Sequence, residues 1–180
     1  MSTNYKRWRM LFLWCLGLFL GTAFCMKWLE GDFQSAGEPF TIIGLEATYP
    51  IERVKEILAG LNQPGNEHSR YLLHSHLFFD FAFMAGVYPG IAALCMMGRL
   101  RSAGRQWRKW LGWLAGLQLV AWGCDLAENS YLLAWLDDPA SVSGFETYHI
   151  VVYVKWGLAL AGALAGIIFS LKGKRTEELY

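Results

Sequence analysis

Charged side chains are scarce in this sequence. Asp, Glu, Lys and Arg make up 17% of the 180 residues, whereas an average soluble domain carries about 25%. The formal net charge is +1, and no segment concentrates Lys and Arg on one face in the way that nucleic-acid-binding proteins do. We therefore expect no nucleic-acid partner.

The signatures of common catalytic and metal sites are also missing. The sequence has no phosphate-cradling Gly loop, no nucleophile elbow and no HExxH. The four cysteines form no CxxC pair, which argues against a disulfide framework or a thiol redox motif; they are Cys15, Cys25, Cys95 and Cys124. The sequence thus predicts no metal and no cofactor, and it does not decide whether the protein is an enzyme.

Long apolar runs are what the sequence does contain. Hydrophobic residues make up 54% of it, and four segments reach the roughly 20 residues that span a bilayer: 8–28, 71–98, 110–136 and 145–171. The first run is long for a signal peptide and no small-x-small cleavage site follows it, so we expect a retained helix. The prediction is an all-α, four-transmembrane-helix bundle in a single integral membrane domain over 1–180.

The basic residues predict the orientation of this bundle. Loops rich in Lys and Arg stay in the cytoplasm, and three regions are rich in them: the N-terminus with Lys6, Arg7 and Arg9, the second loop with Arg99, Arg101, Arg105, Arg108 and Lys109, and the C-terminal tail with Lys172, Lys174 and Arg175. The turn between the third and fourth helices instead carries Asp137, Asp138 and Glu146. Both termini are therefore expected in the cytoplasm.

The first outer loop, 29–70, is too long to lack structure of its own. "PFTIIGLEATY", ending at Tyr49, has strand-like chemistry. "PIERVKEILAGL" predicts a short amphipathic helix with one apolar face, made of Ile51, Val54, Ile57, Leu58 and Leu61. This extracytoplasmic helix would lie over the bundle, either as a structural cap or as a gate over a site.

Four ionisable residues fall at one depth of the predicted bundle. At 1.5 Å per residue, each lies roughly 12–16 Å below the outer boundary; they are Asp80, Asp125, Glu128 and Lys155. Charges in a membrane turn inward and find partners, and Asp125, Glu128 and Asn129 share one helix face. We expect these five residues to converge.

Charge does not balance in this cluster, because three carboxylates face a single ammonium. Two negative charges must be protonated, bind a cation or face water, unless the cluster is only a network that fixes helix register. His76, four residues before Asp80, and His149 should lie slightly above the cluster, and Tyr88 below it. The candidate functional residues are therefore His76, Asp80, Tyr88, Asp125, Glu128, Asn129, His149 and Lys155.

Small residues spaced four apart occur twice in the apolar runs. "GLFLG" contains Gly17 and Gly21, and "GALAG" contains Gly162 and Gly166. Such pairs let membrane helices pack closely, and packing inside the bundle is favoured here over dimerisation.

Two motifs carry a resemblance to a known group. "YLLHSHLFFDFAFMAGVYPG", with D-F-x-F, resembles the second helix of a group of small bacterial four-helix membrane proteins, and "GCDLAENSYLLAWL", with D-x-x-E-N, resembles their third helix. The resemblance spans about 45–136 and implies the architecture, a bacterial inner-membrane location and the importance of Asp80, Tyr88, Asp125, Glu128 and Asn129, but no chemistry. A weaker likeness to the sterol-isomerase and sigma-2-receptor group rests on His76 standing before Asp80.

These observations favour a site for a lipid or small hydrophobic molecule, centred on the acidic cluster and opening to the outer half of the bilayer. Cation or proton binding linked to transport is the first alternative, although few polar residues continue toward the cytoplasm. A non-catalytic membrane assembly or stress-response partner is the second. Membrane lipid is the expected partner, and the sequence does not indicate an oligomeric state.

Overall fold

The computed structural model describes residues 3–172, and it is helical apart from one very short hairpin. The long helices are α1 (Thr3–Glu30), α3 (Glu67–Arg101), α4 (Arg105–Asp137) and α5 (Phe145–Lys172). Between α1 and α3 lie β1 (Gln34–Ser35), β2 (Glu38–Pro39), a π-helical segment (Gly44–Thr48) and α2 (Ile51–Leu61). A 3-10 turn (Pro139–Ser141) joins α4 to α5. The all-α prediction is confirmed, whereas Lys174 and Arg175 lie outside the described residues.

The four long helices run alternately up and down, and α3, α4 and α5 pack on one another while α1 packs mainly on α3. Within residues 3–172, three helices are long and apolar enough to cross a membrane, namely α1, α3 and α5. The remaining long helix, α4, carries Gln118, Asp125 and Glu128 along the same stretch. We call the end of the bundle that holds residues 31–66 the loop end.

Glycines set the contact between α1 and α3. A Cβ atom built on Gly86 of α3 would lie 2.7 Å from the Phe19 amide nitrogen and 3.0 Å from the Cys15 carbonyl oxygen of α1. The two backbones approach this closely only because position 86 has no side chain.

The expectation for the two glycine pairs is right for one and wrong for the other. A Cβ on Gly162 would lie 2.5 Å from Gln118 Nε2, and one on Gly166 would lie 2.9 Å from Leu94 Cγ, so this pair does pack inside the bundle. Gly17 and Gly21 have no atom within 4 Å of a Cβ position, because α1 turns its other face toward α3.

The loop region is packed onto the end of the bundle. The predicted amphipathic helix is observed as α2, and its apolar face is buried at Val54, Ile57, Leu58 and Leu61. These side chains join a core with residues from the loop end of α3, α4 and α5, including Leu73, Leu77, Leu132, Trp135, Tyr148 and Val152. The loop therefore covers the ends of α3, α4 and α5 at the loop end of the bundle.

The strand expected up to Tyr49 is wrong. Residues 44–48 form a π-helical turn, and the only strands in the described chain are the two-residue β1 and β2. A strand would point Leu45 and Glu46 to opposite faces. The helical turn instead directs both inward, where Leu45 is fully buried in the core and Glu46 reaches the charged cluster. Tertiary contacts override the local β propensity here.

Candidate functional site

Lys155 of α5 lies at the centre of a buried charged cluster. Its ammonium nitrogen is 2.9 Å from Asp125 Oδ1 and 2.6 Å from Glu128 Oε2. Its side chain is only 8% exposed, and those of Asp125 and Glu128 are 3% and 0% exposed. A buried ammonium needs such partners because it has lost its hydration.

Asp125 also accepts a hydrogen bond from α3, because the Tyr88 hydroxyl donates to Asp125 Oδ2 at 2.7 Å. Both oxygens of this carboxylate therefore have a donor. Asn129, one turn along α4, donates to Asp80 Oδ2 at 2.7 Å. The network thus ties α3, α4 and α5 together at one level.

The spacing of these residues explains why they meet. Asp125, Glu128 and Asn129 are i, i+3 and i+4 on α4 and share one face. That face is buried, whereas neighbours such as Leu126 and Ser130 are exposed. The structure brings together Asp80, Asp125, Glu128, Asn129 and Lys155 in the way the sequence predicts, with Tyr88 attached below.

Sequence reasoning missed Glu46. This residue of the π-helical segment extends from the loop into the bundle, where its Oε2 lies 3.7 Å from Lys155 Nζ. Its side chain is 14% exposed. The available signal was a single acidic residue between Leu45 and Ala47 in an otherwise uncharged stretch, but nothing in that pattern says which way the residue points.

Glu46 makes the charge imbalance larger than the sequence predicts. Three carboxyl groups now lie within 4 Å of the one buried cation of residues 3–172, a fourth, Asp80, joins the network through Asn129, and Glu46 lies within hydrogen-bonding reach of the Glu128 carboxyl. Burial raises the pKa of the Glu46 carboxyl, and Asp125 adds to this effect while Lys155 opposes it. Glu128 Oε1 is buried and accepts no hydrogen bond from any residue in 3–172.

The two histidines lie apart from this network. His76 is buried with its ring edge against Phe33, at 5.4 Å between centroids, and Nδ1 has no partner among residues 3–172. His149 lies among aromatic rings near the loop end of α5, with Phe145 at 4.2 Å and Tyr153 at 6.0 Å. Their positions put both in the layer between the cluster and the loop.

Below the cluster the bundle becomes apolar. Met84, Tyr88 and Ala121 form a small core there, and Gln118 is the next buried polar side chain along α4. Toward the loop end the cluster is covered by Leu45, Glu46 and the loop core, so the described residues close the site on that side.

An apolar cleft lies on the opposite side of Tyr88. It has a volume of about 340 Å³ and runs between the N-terminal half of α1, the C-terminal half of α3 and the middle of α4. The lining comprises Trp8, Leu11, Tyr88, Pro89, Ala92, Met96, Ala115, Gly116, Gln118, Leu119 and Trp122. Through the Tyr88–Asp125 hydrogen bond, this cleft is one side chain away from the charged cluster.

Within 3–172, no group of three or more His, Cys, Asp or Glu side chains is arranged to hold a metal ion. The expectation that the protein takes no metal and no cofactor stays a prediction, as does the resemblance to the bacterial four-helix group. The chain matches no protein-family model, no curated protein and no solved structure.

Proposed function

We propose that the chain is a four-span integral membrane protein of the bacterial inner membrane, with both termini in the cytoplasm. The support for α4 as the fourth span is its surface. Gln118, Asp125, Glu128 and Asn129 in its middle are buried in the bundle. On its other face, Trp113, Leu119 and Val120 are 70%, 70% and 50% exposed. Water disfavours such a face and lipid does not. Because α4 packs against α3 and α5 along its length, it shares their surroundings.

We further propose that this protein binds a lipid or small hydrophobic molecule at the buried cluster. The observation that carries the proposal is the path from the apolar cleft through Tyr88 to Asp125. Small-molecule sites are concave and mostly apolar, with a few placed polar groups, and the cleft and the cluster together have this composition.

This path implies a different entrance from the one that the sequence favoured, which was an opening to the outer half of the bilayer. The loop core covers the cluster at the loop end, so the ligand enters through the cleft beside α1, from the side of the bundle and below the level of Asp125. An apolar molecule would reach it directly from the bilayer.

The test is a comparison of the molecules that co-purify with the full chain in mild detergent, measured by mass spectrometry of the extract. Tyr88→Phe removes the hydroxyl group, and Asp125→Asn the carboxylate, of the hydrogen bond that links the cleft to the cluster. Glu56→Gln, which changes an exposed carboxylate on α2, is the matched control. We expect one molecular species to be retained by the wild type and the control and to be lost from both site variants. An identical extract from all four proteins would contradict the proposal.

Proton or cation binding is the second candidate, favoured by a network of four carboxyl groups with one ammonium. It predicts that purified protein takes up protons, or binds Na⁺ in calorimetry, and that Glu128→Gln abolishes the uptake. It does not require Tyr88, so a Tyr88→Phe variant with unchanged uptake would support it over ligand binding.

A further inference from the structure

The end of the bundle opposite the loop end carries basic residues from all four long helices and, within residues 3–172, no acidic ones. Asp and Glu are absent from 3–29, 81–124 and 147–172, and these ranges contain every part of the long helices at this end. The basic residues are Lys6, Arg7, Arg9, Arg99, Arg101, Arg105, Arg108, Lys109 and Lys172. A surface with charge of one sign attracts ligands of the opposite sign, so this end favours anions.

A cavity at this end lies where α3 ends and α4 begins. It has a volume of about 420 Å³ and is lined by Arg99, Lys109, Gly112 and Trp113. Lys109 and Trp113 are exposed, and Arg99 is partly exposed. One cationic side chain from each of the two helices is therefore open to a ligand in this cavity.

The Arg99 guanidinium has no acidic partner in the described chain. Its Nη1 donates to Met96 Sδ at 3.9 Å, and a thioether sulfur is a weak acceptor. A Cβ atom on Gly112 would lie 3.1 Å from this nitrogen, so the guanidinium lies against α4 because position 112 has no side chain. Arg101, by contrast, donates to the Ser170 carbonyl oxygen. Arg99 thus keeps most of its five N–H donors for a ligand.

The cavity lies at the depth of phospholipid headgroups. The hydrocarbon core of a bilayer is about 30 Å thick. Counted from Leu136, the predicted outer end of the span, Trp113 lies roughly 34 Å along α4 and Lys109 roughly 40 Å, at 1.5 Å per residue. Trp113 therefore falls at the cytoplasmic boundary, where exposed Trp side chains anchor membrane helices, and Lys109 falls in the headgroup layer beyond it.

We propose that this cavity binds the phosphodiester headgroup of an anionic phospholipid from the cytoplasmic leaflet. The planar guanidinium of Arg99 can donate two parallel hydrogen bonds to phosphate oxygens, and the Lys109 ammonium adds a point charge. Basic pockets between membrane helices on the cytoplasmic side are a known form of anionic-lipid site. The inference rests on the proposed membrane placement and orientation, and it is independent of the cleft beside Tyr88.

The charge at this end distinguishes between lipid classes. Phosphatidylethanolamine carries an ammonium beside its phosphate, and no carboxylate of residues 3–172 lies at this end to pair with it. Phosphatidylglycerol presents the same phosphodiester with an uncharged glycerol. We therefore expect phosphatidylglycerol to half-saturate the protein at about tenfold lower concentration than phosphatidylethanolamine.

The experiment measures lipid binding to the full-length protein in a neutral detergent by native mass spectrometry, over a concentration series of each lipid. Dioleoyl phosphatidylglycerol and dioleoyl phosphatidylethanolamine are the probes, because they differ only in the headgroup. Glycerophosphoglycerol, which is the phosphatidylglycerol headgroup without acyl chains, is added as a soluble competitor. We expect no displacement of the lipid when this competitor is present at an equal concentration.

Two variants locate the site, since each removes one cation of the cavity. Arg99→Gln should raise the half-saturating concentration of phosphatidylglycerol about tenfold, because charge-assisted hydrogen bonds are the strong ones. Lys109→Gln should raise it about fivefold. Arg108→Gln is the matched control: it removes the same charge from an exposed neighbour that does not line the cavity. At physiological salt its effect should be about twofold or less, because an exposed charge is screened.

Equal weakening of phosphatidylglycerol binding by Arg99→Gln and Arg108→Gln would overturn the site and leave only diffuse attraction between charges. Equal affinity of the wild type for the two lipids would overturn the preference for an anionic headgroup. Displacement by an equal concentration of glycerophosphoglycerol would overturn the membrane as the source of the ligand. If Arg99→Gln does not fold, Lys109→Gln decides the same question against Arg108→Gln, because position 109 is exposed. The ligand of the cleft is tested separately, by Tyr88→Phe.

Discussion

Among the charged residues, we expect Lys155 to contribute most to the stability of the folded bundle. Its ammonium lies within 4 Å of three carboxyl groups, at 2.6 Å from Glu128, 2.9 Å from Asp125 and 3.7 Å from Glu46. Lys155→Met keeps most of the volume and removes the charge, which leaves all the carboxyl groups of the cluster without a cation. In soluble cores, breaking a buried pair in this way costs about 3–5 kcal/mol.

The loss in free energy of unfolding should fall at the lower end of that range, because carboxylates can take up protons in response. For a chain of this length, 1 kcal/mol corresponds to roughly 2–4 °C in Tm. We therefore expect Lys155→Met to lower the Tm by on the order of 10 °C in detergent.

A double-mutant cycle isolates the interaction itself. Glu128→Gln in the Lys155→Met background should recover part of the loss, with a coupling of about 1–3 kcal/mol, the range found for residues in one network. Coulomb attraction falls with distance, so Glu46→Gln should couple to Lys155 less strongly than Glu128→Gln does. The measurement is thermal unfolding of the four proteins of each cycle.

The matched control is the exposed pair of Arg53 and Glu56 on α2, whose charged atoms lie 3.3 Å apart. A cycle with Arg53→Met and Glu56→Gln should give about 0.5 kcal/mol or less, because exposed pairs are solvated before they meet. If the coupling free energy between Lys155 and Glu128 is no larger than that of this control pair, the reasoning that these two groups stabilise each other is refuted.

Three further predictions follow from the fold, the loop charges and Glu46. Gly86→Ala should lower the Tm in detergent, because the new methyl group meets the backbone of α1, whereas Gly17→Ala should be neutral or stabilising; equal effects would contradict the α1–α3 contact. Reporter fusions at Gly104 should report the cytoplasm and fusions at Gly65 the outside, and a cytoplasmic signal from Gly65 would overturn the helix count. Burial raises the pKa of the Glu46 carboxyl group. The contribution of this group to stability should therefore be fully present below its unfolded-state pKa of about 4.3 and be lost as the pH rises through its folded-state pKa. Glu46→Gln should flatten this part of the plot of Tm against pH, and an unchanged plot would exclude Glu46 as the source of the pH dependence.

The helices of this protein were predictable because their signals are local. Each apolar run is long enough to fix a helix and its approximate ends, and the apolar face of α2 follows from a 3.6-residue period. The convergence of Asp125, Glu128 and Lys155 was also predictable, since charges within apolar helices have few places to go other than toward one another.

The contacts that the sequence left undecided depend on which faces meet across the bundle. Gly17–Gly21 and Gly162–Gly166 look alike in the chain, yet only the second pair packs, because helix rotation is set by the sum of all neighbouring side chains. The path from the cleft through Tyr88 to Asp125 likewise joins residues of three helices.

Glu46 is the clearest case of a residue placed by tertiary structure. Its neighbours Thr41, Ile42, Ile43 and Thr48 are β-branched. The local propensity of this segment therefore favours a strand. Packing of Leu45 into the loop core and the contact of the Glu46 carboxyl group with the Lys155 ammonium favour a helical turn instead. The sequence alone determined that a charge lay buried in the bundle, and only the packed structure decided which loop residue would reach it.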